Sequence, residues 1–378
     1  MSSKEISIVV CPASAEHCRQ SEASILPFED GRLLLAYTDF YAGEWEDQGP
    51  ARIMGKWSPD EGETWSEPFL LQENIGQRNV MEASLLRLPS GRILLSFLRK
   101  DSQRTEKIEG LLHLMVKHSD DDGKTWSEPQ QVSQGEKYWC GCHDRLLRLS
   151  SGRLLISAAI AEHCHVWISD DDGATWRMCK KPVEVEGVSK AGEPTVVELA
   201  GGTVKMFIRN TSKFIFIAES GDGGESWEKL DKYGKWGPYS TTAPCMVRRV
   251  PGSDDLLLIW NNCLVRTNLT AAISGDGGTV WENYRILEEQ EGWPVPRSHS
   301  YPSLAFLNGN AHLTYWETHN YYKPSRLFHL VYRRLPITWF YERAVRRAPV
   351  YDLSTIVREV LYPDTIFDGE KRSLPTES

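Results

Sequence analysis

Counting back nine residues from the recurring turn glycines Gly31, Gly91, Gly152 and Gly202 gives Glu22, Glu82, His143 and Glu193. The same count from Gly252 gives Ala243, and a turn one residue shorter before Gly309 gives Tyr301. Three carboxylates, an imidazole and a phenol at one recurring position can hold, take or give protons. A position that only packed would carry apolar residues. Basic groups fall close by: Arg78 before Glu82, Arg99 and Arg209 at strand ends, Arg266 at the start of a later strand, and Arg297 and His299 before Tyr301. Asp144 follows His143. Guanidinium and carboxylate groups converging on one mouth suit an anionic ligand or a sugar that carries one. Cys140-Gly-Cys142-His143 has no second ligand pair at a zinc-like spacing, so neither a metal nor a cofactor is expected.

The elements that would position these groups are repeated. Ser58-Pro-Asp60-Glu-Gly62-Glu-Thr64-Trp65 returns at Ser119–Trp126, Ser169–Trp176, Ser220–Trp227 and Ser274–Trp281. Asp and Ser can bond the backbone of their own turn, Gly supplies positive φ, and the Trp ring packs beneath. These Asp boxes are therefore read as structural hairpins. Each is preceded by an apolar strand, a Gly turn and a second apolar strand, such as Arg92-Ile-Leu-Leu-Ser-Phe97. A sixth unit, around Asn308-Gly309, lacks the box. Small antiparallel sheets cannot bury both faces alone, and radial stacking buries both. The sequence therefore predicts an all-β, six-bladed β-propeller over residues 1–343, whose first strands line a central channel. Ile6–Val10 is expected to supply the outer strand of the last blade. Residues 344–378 are read as an appendage with a short helix at Ser354–Leu361 and a loose tail.

Bulk properties narrow the partners. A net charge of −9 argues against nucleic acid. No apolar run is long enough to span a membrane. The eight cysteines show no compact disulfide spacing and the first residues do not read as a signal sequence, so free thiols in a cytoplasmic protein are expected.

These motifs resemble the sialidase (neuraminidase) superfamily, specifically proteins with bacterial-neuraminidase Asp-box repeats, over roughly residues 15–340. The resemblance implies an exo-acting glycoside hydrolase for an acidic sugar. Gly192-Glu193-Pro with Arg209 matches the family's glutamate and arginine, Arg266-Thr-Asn-Leu its next arginine, and Ser300-Tyr301-Pro-Ser its tyrosine. Carried over, Tyr301 is the nucleophile, Glu193 takes its proton, and Arg209 and Arg266 hold the substrate carboxylate. Asp47, with Asp39 behind it, is the candidate proton donor. One position departs: the family's first arginine aligns with Ser21, and Arg19 lies two residues early. That leaves an acidic sugar, rather than sialic acid itself, as the expectation. Glu22 and Glu82 have no family counterpart and are read as substrate-binding. Two other functions stay open. One is a polysaccharide lyase using His143 or His299 with Tyr301 and an arginine. The other is a non-catalytic carbohydrate-binding propeller.

Overall fold

The computed structural model describes residues 5–102, 111–135, 137–141, 143–160, 163–184, 192–210, 214–229, 243–263, 265–288, 297–319 and 326–342. The helix expected at Ser354–Leu361 and the rest of the appendage lie outside the described residues. Within them the chain is all-β, with one 3-10 turn at Ile337–Tyr341.

The strands come in antiparallel sets of four. The first set is Arg19–Pro27, Leu33–Phe40, Ala51–Ser58 and Phe69–Gln72. The second is Asn79–Arg87, Ile93–Lys100, Leu112–Ser119 and Gln130–Gln131. The third is Leu146–Arg148, Leu154–Ile160, His163–Ser169 and Arg177–Met178, with Val183–Glu184 also pairing on His163–Ser169. The fourth is Gly192–Glu198, Val204–Arg209, Phe216–Ser220 and Glu228–Lys229, and the fifth Met246–Arg249, Leu256–Asn261, Leu269–Ser274 and Glu282–Glu288. The sixth is Arg297–Leu307, Asn310–His319 and Phe328–Pro336, completed by the N-terminal strand Ile6–Cys11. As the sequence predicts, that strand runs antiparallel to Phe328–Pro336, with Ile6 opposite Arg334. Sets six and one touch through a single parallel pair, Arg19 opposite Phe328. Among the described residues the sheets do not otherwise share ladders, so they do not close into one hydrogen-bonded barrel.

The core lies between neighbouring sets. Leu33–Phe40 is buried along its whole length, which is why Leu33-Leu-Leu-Ala reads as a continuous apolar run rather than an alternating one. Leu94 and Leu98 of set two pack with Ile156, Ala158 and Trp167 of set three. Inner strands also touch. Arg19–Pro27 lies against Asn79–Arg87 and Arg297–Leu307, and Met246–Arg249 against Gly192–Glu198 and Arg297–Leu307. Leu154–Ile160 lies along Gly192–Glu198.

The repeated turns hold themselves together as their residue types require. Ser58 Oγ donates to Asp60 Oδ1 at 3.0 Å and accepts from the Gly62 amide at 2.7 Å. Asp60 accepts from the Thr64 amide at 2.8 Å and hydroxyl at 2.6 Å, and Trp65 Nε1 donates to the Gly62 carbonyl at 3.1 Å. Gly62 must be glycine: its φ is +88°, and a Cβ would lie 2.1 Å from the Tyr332 hydroxyl. In the fifth turn Val280 replaces the hydroxyl residue, and Trp281 Nε1 is buried without a partner. The ring's contribution follows its burial. Trp227 is 1% exposed, whereas Trp126 is half-buried. Trp227→Ala is expected to cost about 3–5 kcal/mol in urea unfolding, and Trp126→Ala less. Equal losses from the two would show that burial does not set the contribution of these rings.

Candidate active site

Four inner strands carry a β-bulge at the same place. The register slips between Ser21 and Ser24, Met81 and Ser84, Gly192 and Thr195, and Ser300 and Ser303. Within each slip one residue has positive φ: Glu22 at 43°, Glu82 at 65°, Glu193 at 44° and Tyr301 at 59°. Such backbone is costly for residues other than glycine and re-aims a side chain. These are the residues the glycine count selects. Set three differs by one: the positive φ falls on Asp144, at 56°, instead of His143.

Tyr301 and Glu193, from sets six and four, meet directly. The phenol donates to Glu193 Oε1 at 2.9 Å. Arg209, at the end of Val204–Arg209, pairs through Nη1 with Glu193 Oε2 and lies 3.4 Å from the Tyr301 oxygen. Burial works against the Arg209 charge, but Glu193 and Tyr301 hold its pKa well above the usual value. The Arg266 guanidinium lies 5.3 Å from the Tyr301 ring centroid and 5.7 Å from that of Trp316. Arg266 precedes its strand, which begins at Leu269, and the His299 amide donates to its carbonyl at 2.8 Å.

A second ionic group comes from set one. Arg19 donates through Nη1 to Asp47 Oδ1 at 2.6 Å, through Nη2 to Glu22, and through Nε to Ser21 Oγ at 3.0 Å. Burial opposes its charge, and Glu22 and Asp47 more than restore it. The loop that delivers Asp47 is pinned by set two: Asn79 Nδ2 and Lys100 Nζ each donate to the Asp47 carbonyl at 3.0 Å. The Asp47 side chain is 60% exposed. Burial would raise its carboxyl, but Arg19, Lys100 and Arg266 bring it below the usual range. Asp47 is therefore at the site, yet ionised and paired rather than ready to give a proton. Phe328 links the two groups, lying 5.8 Å from the Arg19 guanidinium and edge-on to Trp316 at 5.1 Å. Glu82 stands on the remaining bulge, 7% exposed.

Several expected residues lie elsewhere. His143 is fully buried, stacked on the Tyr301 ring at 5.6 Å, and its Nε2 meets the Pro302 carbonyl at 3.0 Å. Burial and Arg145 lower its pKa to about 3, so it is a neutral support under the phenol and not a group at the mouth. Asp144 is a tie across the sets: it accepts from Ser24 Oγ at 3.1 Å and the Leu304 amide at 3.2 Å, and pairs with Arg248 at 3.3 Å. Arg99 turns to Asp101 and Gln131, because successive strand residues face opposite ways and Lys100 takes the inward face. Arg78 is exposed. His299 bonds Glu317 at 3.0 Å, and Arg297 lies 3.7 Å from the same carboxylate. Asp39 is enclosed by His17, Gln20 and Arg52, which removes it as a second proton donor. The sequence reading missed Lys100, Trp316, Phe328 and Trp45; the parity of strand residues would have favoured Lys100 over Arg99. Among the described residues no cluster of His, Cys, Asp and Glu could hold a metal.

Comparison with known proteins agrees with this arrangement. Residues 31–314 match the family described as BNR repeat-like domain. A sialidase of Bacteroides fragilis (strain YCH46) is 26% identical over 200 residues, covering 48% of this chain and 36% of the relative, so the match spans about a third of that protein. A protein of unknown function from Dyadobacter fermentans superposes with a TM-score of 0.71 at 21% identity, over 89% of this chain and 99% of that one. The NanB sialidase of Streptococcus pneumoniae superposes with a TM-score of 0.69 at 16% identity, over 88% of this chain and 70% of that one. The chain therefore belongs to the BNR repeat-like family of the sialidase superfamily.

Proposed function

We propose that this protein is a six-bladed β-propeller glycoside hydrolase of sialidase type that releases an acidic sugar with retention of configuration. The six four-stranded sets, with inner strands touching from one set to the next, support the propeller. The observation that carries the chemistry is the Tyr301–Glu193 hydrogen bond with Arg209 beside both. A phenol, with its ordinary pKa near 10, is a weak nucleophile at neutral pH. A carboxylate that accepts its proton activates it, and sialidases are known as the tyrosine exception among retaining glycosidases. A phenol also suits an anomeric carbon that bears a carboxylate, which would repel a carboxylate nucleophile. Arg209 and Arg266 flank the phenol where they would hold that group by charge-assisted bonds.

The lyase reading loses its bases, since His143 is buried under Tyr301 and His299 is engaged by Glu317. Ser21 stands where the superfamily's first arginine is expected, and Arg19 is spent on Glu22 and Asp47. Two arginines therefore remain for the substrate carboxylate. The test is a panel of sialosides and uronic-acid glycosides, read for both released sugar and unsaturated product. Hydrolysis of an acidic glycoside is expected. Unsaturated product would establish a lyase, and binding without turnover a lectin-like propeller.

A further inference from the structure

Glu82 has no place in the chemistry above, yet it occupies the same bulge position as Glu193 and Tyr301. Its amide donates to Thr38 Oγ1 of set one at 2.9 Å, which fixes the backbone that aims it. Its Oε2 is buried and has no hydrogen-bond partner. Three other carboxylates act on it, those of Glu193, Glu22 and Asp47. Each of those has a cation in contact: Arg209 for Glu193, Arg19 for Glu22 and Asp47. Among the described residues Glu82 has none. The other titratable groups around it are Lys100, Tyr138 and Cys140, which feel its charge or that of its neighbours. Lys100 donates to the Asp47 carbonyl instead.

A buried carboxyl without a partner keeps its proton. Burial, then Glu193, Glu22 and Asp47, hold Glu82 well above the usual carboxyl range, with Arg19 opposing. Asp47, paired with Arg19, is pushed the other way. Two carboxyl groups driven apart by their surroundings mark which is acid and which is ion.

We propose that Glu82, and not Asp47, is the general acid–base residue of this site. The proposal rests on the Tyr301-nucleophile reading. In the first step the Tyr301 oxygen bonds to the anomeric carbon and passes its proton to Glu193. The bond from that carbon to the aglycone oxygen breaks, its electron pair goes to the oxygen, and the oxygen takes the Glu82 proton. In the second step water bonds to the anomeric carbon and gives a proton to the Glu82 carboxylate. The carbon–Tyr301 bond breaks, and the phenolate recovers its proton from Glu193. Asp47 is then a positioning residue that holds Arg19.

The test compares an alkyl glycoside of the acidic sugar, whose leaving group must be protonated, with its nitrophenyl glycoside, whose leaving group need not be. Glu82→Gln is expected to lower turnover of the alkyl glycoside on the order of 10^2 to 10^4-fold. On the nitrophenyl glycoside the first burst of nitrophenol should persist. Added azide, a nucleophile that needs no base, should restore its steady state. Asp47→Asn should leave the ratio between the two substrates as in the wild type. Tyr301→Phe should lose both. Equal loss of both substrates in Glu82→Gln, or selective loss in Asp47→Asn, overturns the assignment. Infrared spectroscopy tests it without a substrate: at neutral pH the wild type should show a protonated-carboxyl band that Glu82→Gln lacks, and absence of that band from the wild type refutes the proposal. Activity surviving in Tyr301→Phe would instead overturn the tyrosine nucleophile, leaving the infrared result to judge Glu82.

Discussion

Replacing Tyr301 by Phe should abolish turnover, lowering kcat by about 10^3-fold or more, while substrate affinity changes little. The change removes one oxygen. The ring keeps its stack on His143 and its place beside Trp316, and Glu193 keeps Arg209. The variant should therefore fold, with a stability loss of about 1 kcal/mol for the missing hydrogen bond. Arg209→Ala should behave differently. It removes the group that faces both the phenol and the expected carboxylate, so the KM for acidic sugars should rise far more than for neutral ones. Kinetics on matched acidic and neutral glycosides separate the two effects. Full activity in Tyr301→Phe would sink the nucleophile assignment.

The second large effect is on stability. Arg19→Ala should cost about 3–5 kcal/mol, because it strands buried charge. Glu22 is fully buried and its contact cation is Arg19. The guanidinium also lies 4.5 Å from the Phe40 ring centroid, so the change opens a gap as well. Arg19→Ala combined with Glu22→Gln should recover part of the loss, since the orphaned charge is gone. Chemical denaturation of the two single variants and the double reads this coupling. The sign of the pH dependence follows from Asp47. Its folded pKa is lowered by Arg19, so its contribution is present above its unfolded value and is lost as pH falls through the folded one. Arg19→Ala should flatten that acid limb. Additive losses in the double variant would mean that the ion pair does not couple the two residues.

The glycine count finds Glu22, Glu82, Glu193 and Tyr301 because a bulge at a fixed distance from a hairpin repeats whenever the set repeats. It misplaces set three because the bulge there sits one residue nearer its turn, ahead of a first strand of only Leu146–Arg148. The Arg19–Glu22 pair was not legible. Residues three apart on a regular strand face opposite ways, and only the extra residue of the bulge turns them to the same side. Arg99 was chosen over Lys100 because an arginine suits an anion, whereas strand parity decides which of two neighbours points inward. Trp45, Trp316 and Phe328 come together from separate stretches of sets one and six, and no local pattern announces such contacts. The role of Asp47 turned on its partner. The loop was recognisable in the sequence, but that Arg19 reaches it was not.

The central claim is that Tyr301 becomes bonded to the sugar, and mass spectrometry can read that bond directly. The protein would be incubated with an activated fluorinated analogue of the acidic sugar, which slows release of the intermediate, then digested and mapped. The account predicts one added sugar on the peptide that contains Tyr301, and none on the Tyr301→Phe variant. An adduct on the peptide of Glu193 or Glu82, or turnover of the analogue with no adduct on any peptide, would contradict it.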